Sequence, residues 1–378
     1  MGADNTSNSI NRKANEKSQA NKLTKNIILA NIKSKYIYKK VIDNIKKTKY
    51  LQIIKYSKIA QQILGLDINY FKDFSEKYTE VELEIIPCDN KYTKFINIVN
   101  EQDRAYYHIF FNDNKNEIKR EYLDKYLDEK EKIQKIRIIL DYHLKSFSKL
   151  FDDCYCIQSL CFTKFNRKDI NDMSSMFSGC LWLEEINLSK FNTNNVINMS
   201  SMFSRCPSLK EINFLNFNTY KVINMSCMFS ACSSLKKLDL SVFNTSNVTD
   251  MSSMFSGCSF LEEINLSSFI TNKVTNMKNM FYQCLSLKEL NLSNFNTNNV
   301  SNMSYMFSGC YSIEKLNLSN FNTINVTDMN FMFSRCPALL DLNLSNFNTS
   351  NTKNKDDMFN RCSPEFEKNI KEKYKNLF

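Results

Sequence analysis

From Leu144 to Cys362 the apolar side chains recur with a period of 26 residues. In the copy from Leu287 to Cys310 they fall at Leu287, Leu290, Leu292, Phe295, Val300, Met303, Met306, Phe307 and Cys310. Eight Met-Phe pairs, Met176-Phe177 to Met358-Phe359, keep the period, and so do nine cysteines from Cys154 to Cys362. A period this strict makes each copy one unit that completes its core only against its neighbours. The Leu-x-x-Leu-x-Leu opening predicts a short strand, Val-x-x-Met a second one, and Met-Phe-x-x-Cys a tight helical turn. Subtracting 26 places Leu150, Phe151 and Cys154 under Met176, Phe177 and Cys180, with Leu144 and Phe147 under Ile170 and Met173. The repeats are therefore expected over 135–362, with KIRIILDY as the first strand. Ser363-Pro364-Glu365 then opens a capping helix over 363–378, whose apolar face is Phe366, Ile370, Tyr374 and Leu377.

Upstream the pattern changes twice. Residues 1–20 are polar and aperiodic, which predicts a disordered basic tail. Residues 21–134 are expected to form helices and strands that cap the repeats. Lysines alternate with apolar residues at helical spacing over 22–65 (Ile32, Tyr36, Val41, Ile45, then Leu51, Ile54, Ile59, Ile63), predicting amphipathic helices closed by Gly65. From Val81 the period is two, and VELEIIP, TKFINIV and AYYHIFF read as strands. Lys115 to Lys132 reads as a solvated helix or a long loop.

Composition narrows the chemistry. Only 5 glycines and 4 prolines occur in 378 residues, which leaves little material for glycine-rich phosphate loops. Residues 1–50 hold 12 Lys or Arg against 3 Asp or Glu, so +9 of the +10 net charge lies there. Attraction to an anionic surface would start from that end, and weak membrane contact through it is one expectation. The stretch 33–58, with Tyr36, Tyr38, Tyr50 and Tyr56, fits such a role or the solvated face of its helices. Nine cysteines in one column suit a buried ladder of reduced thiols. Without a secretory leader or an apolar run of about 20 residues, the expectation from the residues is a cytoplasmic protein.

The units NVTDMSSMFSGCSFLEEINLSSF and NVSNMSYMFSGCYSIEKLNLSNFNT resemble the BspA-type leucine-rich repeats of surface proteins from bacteria and protists. The resemblance covers about residues 135 to 362 and rests on tandem M-F-x-x-C and L-x-L-S-x-F. It implies an α+β fold, a leucine-rich-repeat-like β-solenoid of about nine 26-residue rungs behind a small α/β N-terminal region with amphipathic helices. It also implies adhesion or protein binding, with the cell surface as the alternative location.

Candidate sites follow from agreement and disagreement between copies. Asn187, Asn213, Asp239, Asn265, Asn291, Asn317 and Asn343 form one outward column, and Ser189, Ser241, Ser267, Ser293, Ser319 and Ser345 most of another. Such columns suit side-chain hydrogen-bond ladders or recognition of a repetitive ligand, and not one small-molecule substrate. The residue before Met-Phe is Ser175, Ser201, Cys227, Ser253 and Asn279, then Tyr305 and Phe331; with Tyr282 and Tyr311 these two make a candidate partner surface, or pack against the C-terminal cap. Cys154, Cys156 and Cys161 lack a zinc spacing, and His108 and His143 sit in separate strand-like segments, so neither metal nor cofactor is expected. No nucleotide-binding, nucleophile-elbow or metalloprotease motif occurs, and no enzyme is expected. Gly2 in Met1-Gly2-Ala3-Asp4-Asn5-Thr6 is a candidate lipidation site. The expected function is a non-catalytic protein-binding or adhesion module; the alternative is an F-box-like adaptor that docks through its N-terminal helices and selects a target with its repeats.

Overall fold

The computed structural model describes residues 79–88, 93–123 and 132–377, together with residues 61, 62, 64 and 69. The chain divides into two compact units, Met1–Thr79 and Glu80–Phe378, and the fold described is that of the second. Gly2, the tail over 1–20 and nearly all of the helical stretch over 22–65 lie outside the described residues.

The second unit has small mixed sheets, few helices and, among the described residues, no closed barrel. Its strands are β1 (Val81–Pro87), β2 (Tyr107–Phe111), β3 (Ile136–Leu140), β4 (Ile157–Lys164), β5 (Glu185–Asn187), β6 (Lys237–Asp239), β7 (Glu263–Asn265), β8 (Lys315–Asn317) and β9 (Asp341–Asn343). One helix, α1 (Pro364–Lys373), follows them. A five-stranded sheet runs in the order β2-β3-β1-β4-β5. Alternation buries Val81, Leu83 and Ile85 of β1 together with Ile136, Ile138 and Leu140 of β3.

Strand β4 joins two patterns. On one side it pairs antiparallel with β1, and on the other parallel with β5, where Leu160 faces Ile186. The KIRIILDY segment therefore departs from its expected place: β3 lies antiparallel between β1 and β2, and the parallel strand series opens at β4. Its apolar alternation fits a sheet interior of either sense, and only the partners decide which. TKFINIV also departs, since it contributes a single bridge, Lys94 to Tyr122, and otherwise bends. AYYHIFF begins inside a 3-10 turn, Glu101–Tyr106, before β2. Between Lys115 and Leu123 the chain is extended and irregular, with Ile118 bridging Ile109.

From Phe147 onward equivalent positions of successive copies hydrogen-bond to one another. Single-residue parallel bridges connect Asp172, Asn198, Asn224, Asp250, Asn276, Asn302, Asp328 and Asn354 in turn, where a second strand was expected. Each Met-Phe turn satisfies its backbone in two directions. The N–H groups of Met173, Ser175, Phe177 and Gly179 donate to carbonyls of the next copy, while those of Met176, Ser178 and Cys180 donate within the turn. This path needs two left-handed residues per turn, such as Ser175 (φ 52°) and Gly179 (φ 70°). Three of the five glycines, Gly179, Gly257 and Gly309, serve at the second of these positions.

The corners explain how the chain turns so often with so little glycine and proline. Asn187, Asn198 and Asn192 each accept, through the side-chain oxygen, a hydrogen bond from the backbone N–H two residues on, at 3.0, 3.0 and 3.1 Å. These Asx turns recur at three corners of nearly every copy. The outward asparagine column is thus a series of local turns, and only Asn265 and Asp239 link along it, at 2.9 Å.

Between the corners lies an apolar core. Phe151, Phe177, Phe203, Phe229, Phe255, Phe281, Phe307, Phe333 and Phe359 form one continuous stack with centroids 5.4 to 5.9 Å apart. Leu144, Phe147, Leu150, Phe151 and Cys154 are buried at the positions that subtraction by 26 assigned to them. At the far end Phe366 packs edge-on against Phe359 at 5.9 Å. Ser363 occupies the N-cap of α1 with Pro364 behind it, although its side chain makes no capping bond.

Candidate partner surface

Most polar side chains of the repeat are consumed by the repeat itself. Each thiol of the 26-residue column from Cys180 to Cys362 donates to the carbonyl of a phenylalanine in the preceding copy; Cys206 to Phe177 is 3.0 Å and Cys258 to Phe229 is 3.1 Å. Burial pushes the Cys258 and Cys336 thiols up to about 12, so they stay protonated and donating. The buried threonines work in both directions. Thr245 Oγ1 donates to the carbonyl of Ile270 at 2.9 Å and accepts from its N–H at 2.8 Å, and Thr193, Thr219, Thr271 and Thr323 do the same one copy apart.

What remains for an outside partner is where the copies differ. Tyr305 and Phe331 stack at 4.9 Å and 16°, and Tyr282 meets Tyr305 edge-on at 6.3 Å. All three are half-buried, so they form a ridge of ring edges along the outside of three successive copies. Tyr311 is 47% exposed and belongs to none of these ring pairs, so the structure brings together three of the four expected residues. No ring pair joins the ridge to α1 among the described residues.

The backbone under the ridge is strained. Tyr305 has φ 58° and Phe331 φ 55°, the left-handed region that disfavours bulky side chains. Serine, asparagine or aspartate occupies the same position in Ser175, Ser201, Ser253, Asn279 and Asp357, and Lys149 and Cys227 occupy it in two further copies. The aromatic rings therefore sit where they cost about 1–2 kcal/mol each in backbone energy, and the one face-to-face contact between them returns about 0.5–1.5 kcal/mol. Beside them the Oδ1 of Asn330 is buried without a hydrogen-bond partner.

The remaining candidates lie apart. Cys154 is in the thiol column, the Cys156 thiol donates to the Lys94 carbonyl at 3.3 Å, and Cys161 faces outward from β4. No group of three metal-ligating side chains forms among the described residues. His108 pairs with Glu117 at 3.0 Å, and His143 pairs with Asp141 at 2.6 Å and stacks on Tyr106. Among the described residues no helix is long and apolar enough to cross a membrane.

The model of the family described as "Mycoplasma protein of unknown function, DUF285" matches residues 145–265 and 259–373, together more than half of the chain. The chain belongs to the DUF285 family. Two consecutive matches agree with the repeated units, and their joint span runs from the first Met-Phe-type turn into α1. None of the curated proteins compared matches this DUF285 chain.

One feature of the DUF285 repeats escaped the sequence reading, a groove at their N-terminal end. Trp182, the single tryptophan of the chain, stands there 44% exposed beside Ile86 at 42%. The equivalent position is serine in Ser208, Ser234, Ser286 and Ser312, alanine in Ala338 and a second exposed aromatic in Phe260. The same comparison of copies that picked out Tyr305 would have found it.

Proposed function

We propose that this protein is a BspA-type leucine-rich-repeat solenoid that works as a non-catalytic binding or adhesion module, with the ridge of Tyr282, Tyr305 and Phe331 as a contact surface for a protein partner. The observation that carries the reading is the left-handed backbone of Tyr305 and Phe331, where aromatic side chains work against stability. Aromatic residues retained at such a cost fit selection for contact with something outside the fold, since aromatic anchors dominate protein interfaces. Supporting it, the asparagine, threonine and cysteine columns spend their hydrogen bonds inside the repeats, which fits a scaffold. The parallel register at 26-residue steps supports the solenoid.

The test compares the full chain with a Tyr305→Asn/Phe331→Asn variant, in cross-linking and affinity capture from the native source. Asparagine tolerates the left-handed conformation, so the variant is expected to keep or raise its thermal midpoint and lose the captured partner. Identical capture by both chains overturns the reading.

A further inference from the structure

A second surface, separate from the aromatic ridge, lies at the other end of the repeats. Two adjoining hollows of about 520 and 440 Å³ share Ile86 as a common wall. The first is lined by Pro87, Lys132, Gln158, Trp182 and Glu184; the second runs over the outward face of β1, β4 and β5 and on to Glu211 and Asn213. Its floor is the flat face of a sheet, so it suits an extended occupant better than a compact one.

Charge in this groove is unbalanced. Glu84 is answered by Lys135 at 3.5 Å and Glu184 by Lys210 at 2.6 Å. Glu185 and Glu211 are exposed on adjacent copies, and no ion pair within 4.0 Å reaches either of them among the described residues. Ile86 lines the same hollow as these two carboxylates and Trp182 the adjoining one, Trp182 at a repeat position that four other copies fill with serine and two with Phe260 and Ala338. Lys210 reaches Glu185 only through longer-range attraction, and an apolar wall shared by an indole and carboxylates outside any close ion pair attracts a cation with an aliphatic stem, which is the chemistry of lysine and arginine side chains.

We propose that this groove binds an extended basic peptide, with Trp182 and Ile86 receiving its apolar stems and Glu185 and Glu211 its positive charges. The occupant is a protein segment with lysine or arginine at alternate positions, because alternate side chains of an extended chain face the same way. The site is independent of the aromatic ridge, and its failure would leave that proposal standing.

Trp182 is the only tryptophan, so its emission reports this groove alone. The full chain is titrated with the octapeptide (Lys-Val)4, following Trp182 emission, and anisotropy follows the fluorescein-labelled peptide. A saturable change in both is expected, weakening as salt rises. The Glu185→Gln/Glu211→Gln variant should raise the Kd about fivefold or more, Trp182→Ala should weaken anisotropy-detected binding, and Phe331→Asn should leave it unchanged. Four results would each overturn the proposal: no change in Trp182 emission, an unaltered Kd in the double glutamine variant, equal binding of (Glu-Val)4, or a Trp182 response to dextran in place of the peptide.

Discussion

The hydroxyl of Thr349 donates to the carbonyl of Leu377 at 3.1 Å. In the copies before it, the equivalent threonine donates to the following copy, as Thr323 does to Asn348 at 2.9 Å. The segment after α1 therefore supplies the bond that a further repeat would have made. Tyr374 adds a second substitute, its hydroxyl accepting from the Leu344 N–H at 3.1 Å. The repeat series stops here because its last edge is covered by chain of a different kind.

Removing residues 363–378 should therefore cost far more than its exposed helix suggests. Phe366, Ile370 and Leu377 are buried, and at about 1.5–3 kcal/mol per side chain their loss amounts to about 5–9 kcal/mol. Urea denaturation checks this. The truncated chain should unfold at a clearly lower midpoint or aggregate through its open end, and an unchanged midpoint would rule out a capping role.

An interior staple should behave differently from the end. Thr245→Val keeps the shape but deprives the Ile270 N–H and carbonyl of their common partner, which costs about 1–3 kcal/mol per unsatisfied buried group. Thr245→Ser restores both bonds and should recover most of that loss. A valine variant as stable as the parent would mean that water or a neighbour replaces the hydroxyl.

The period, the core positions and the cap could all be read from the residues, because each depends on which side chains must avoid water. Leu144, Phe147, Phe151 and Cys154 were placed by subtraction alone, and all are buried. Strand partners could not be read in this way. Ile136, Ile138 and Leu140 present the same alternation whether they open a parallel series or sit inside an antiparallel sheet. The use of asparagine was misread for a related reason. Asn187 can bond along the column or to its own backbone, and the local bond to Ser189 wins because it needs no neighbour in register. The groove at Trp182 joins β1 to the first copies across some 100 residues of sequence, a juxtaposition that repeat periodicity does not encode.

The thiol column should make the fold sensitive to alkali. Burial raises Cys258 and Cys336 to about 12 and Cys156 to about 11, above the ordinary thiol value. The folded chain then binds more protons than the unfolded one between those limits. Stability is fully present below the unfolded thiol value of about 8.5 and falls as pH rises toward the folded values. Circular dichroism should show unfolding between about pH 9 and 12. In the native state at pH 8, iodoacetamide should label the partly exposed Cys161 and Cys227 well before Cys180, Cys206 or Cys232. Uniform labelling of the column without unfolding would contradict a buried, donating ladder.

Among the described carboxyls lowered on folding, Asp169 is the one that holds a buried guanidinium, near the start of the repeats. Arg167 is fully buried, an unusual place for a guanidinium, and it is held there by Asp169 at 2.7 Å and by the carbonyls of Asp141 and Leu144 at 3.2 and 2.5 Å. It thus fastens the chain just beyond β3 to the approach of the first repeat. Burial alone would raise the Asp169 carboxyl, but hydrogen bonds from Arg167 and Lys145 outweigh it and hold the group below the usual carboxylate range. A carboxyl lowered on folding contributes stability above its unfolded value of about 3.9, and this is lost as pH falls through the folded value. Stability should therefore decline below about pH 4, and Asp169→Asn should flatten that part of the profile while lowering stability at pH 7. Arg167→Ala leaves two carbonyls and a carboxylate without their shared donor and should cost about 3–5 kcal/mol. Arg167→Lys should rescue little, because one ammonium cannot reproduce the planar fork that reaches all three acceptors. Urea midpoints measured from pH 3 to 8 on the three variants decide the matter, and a lysine variant as stable as the parent would mean that charge alone, without the fork, holds this junction together.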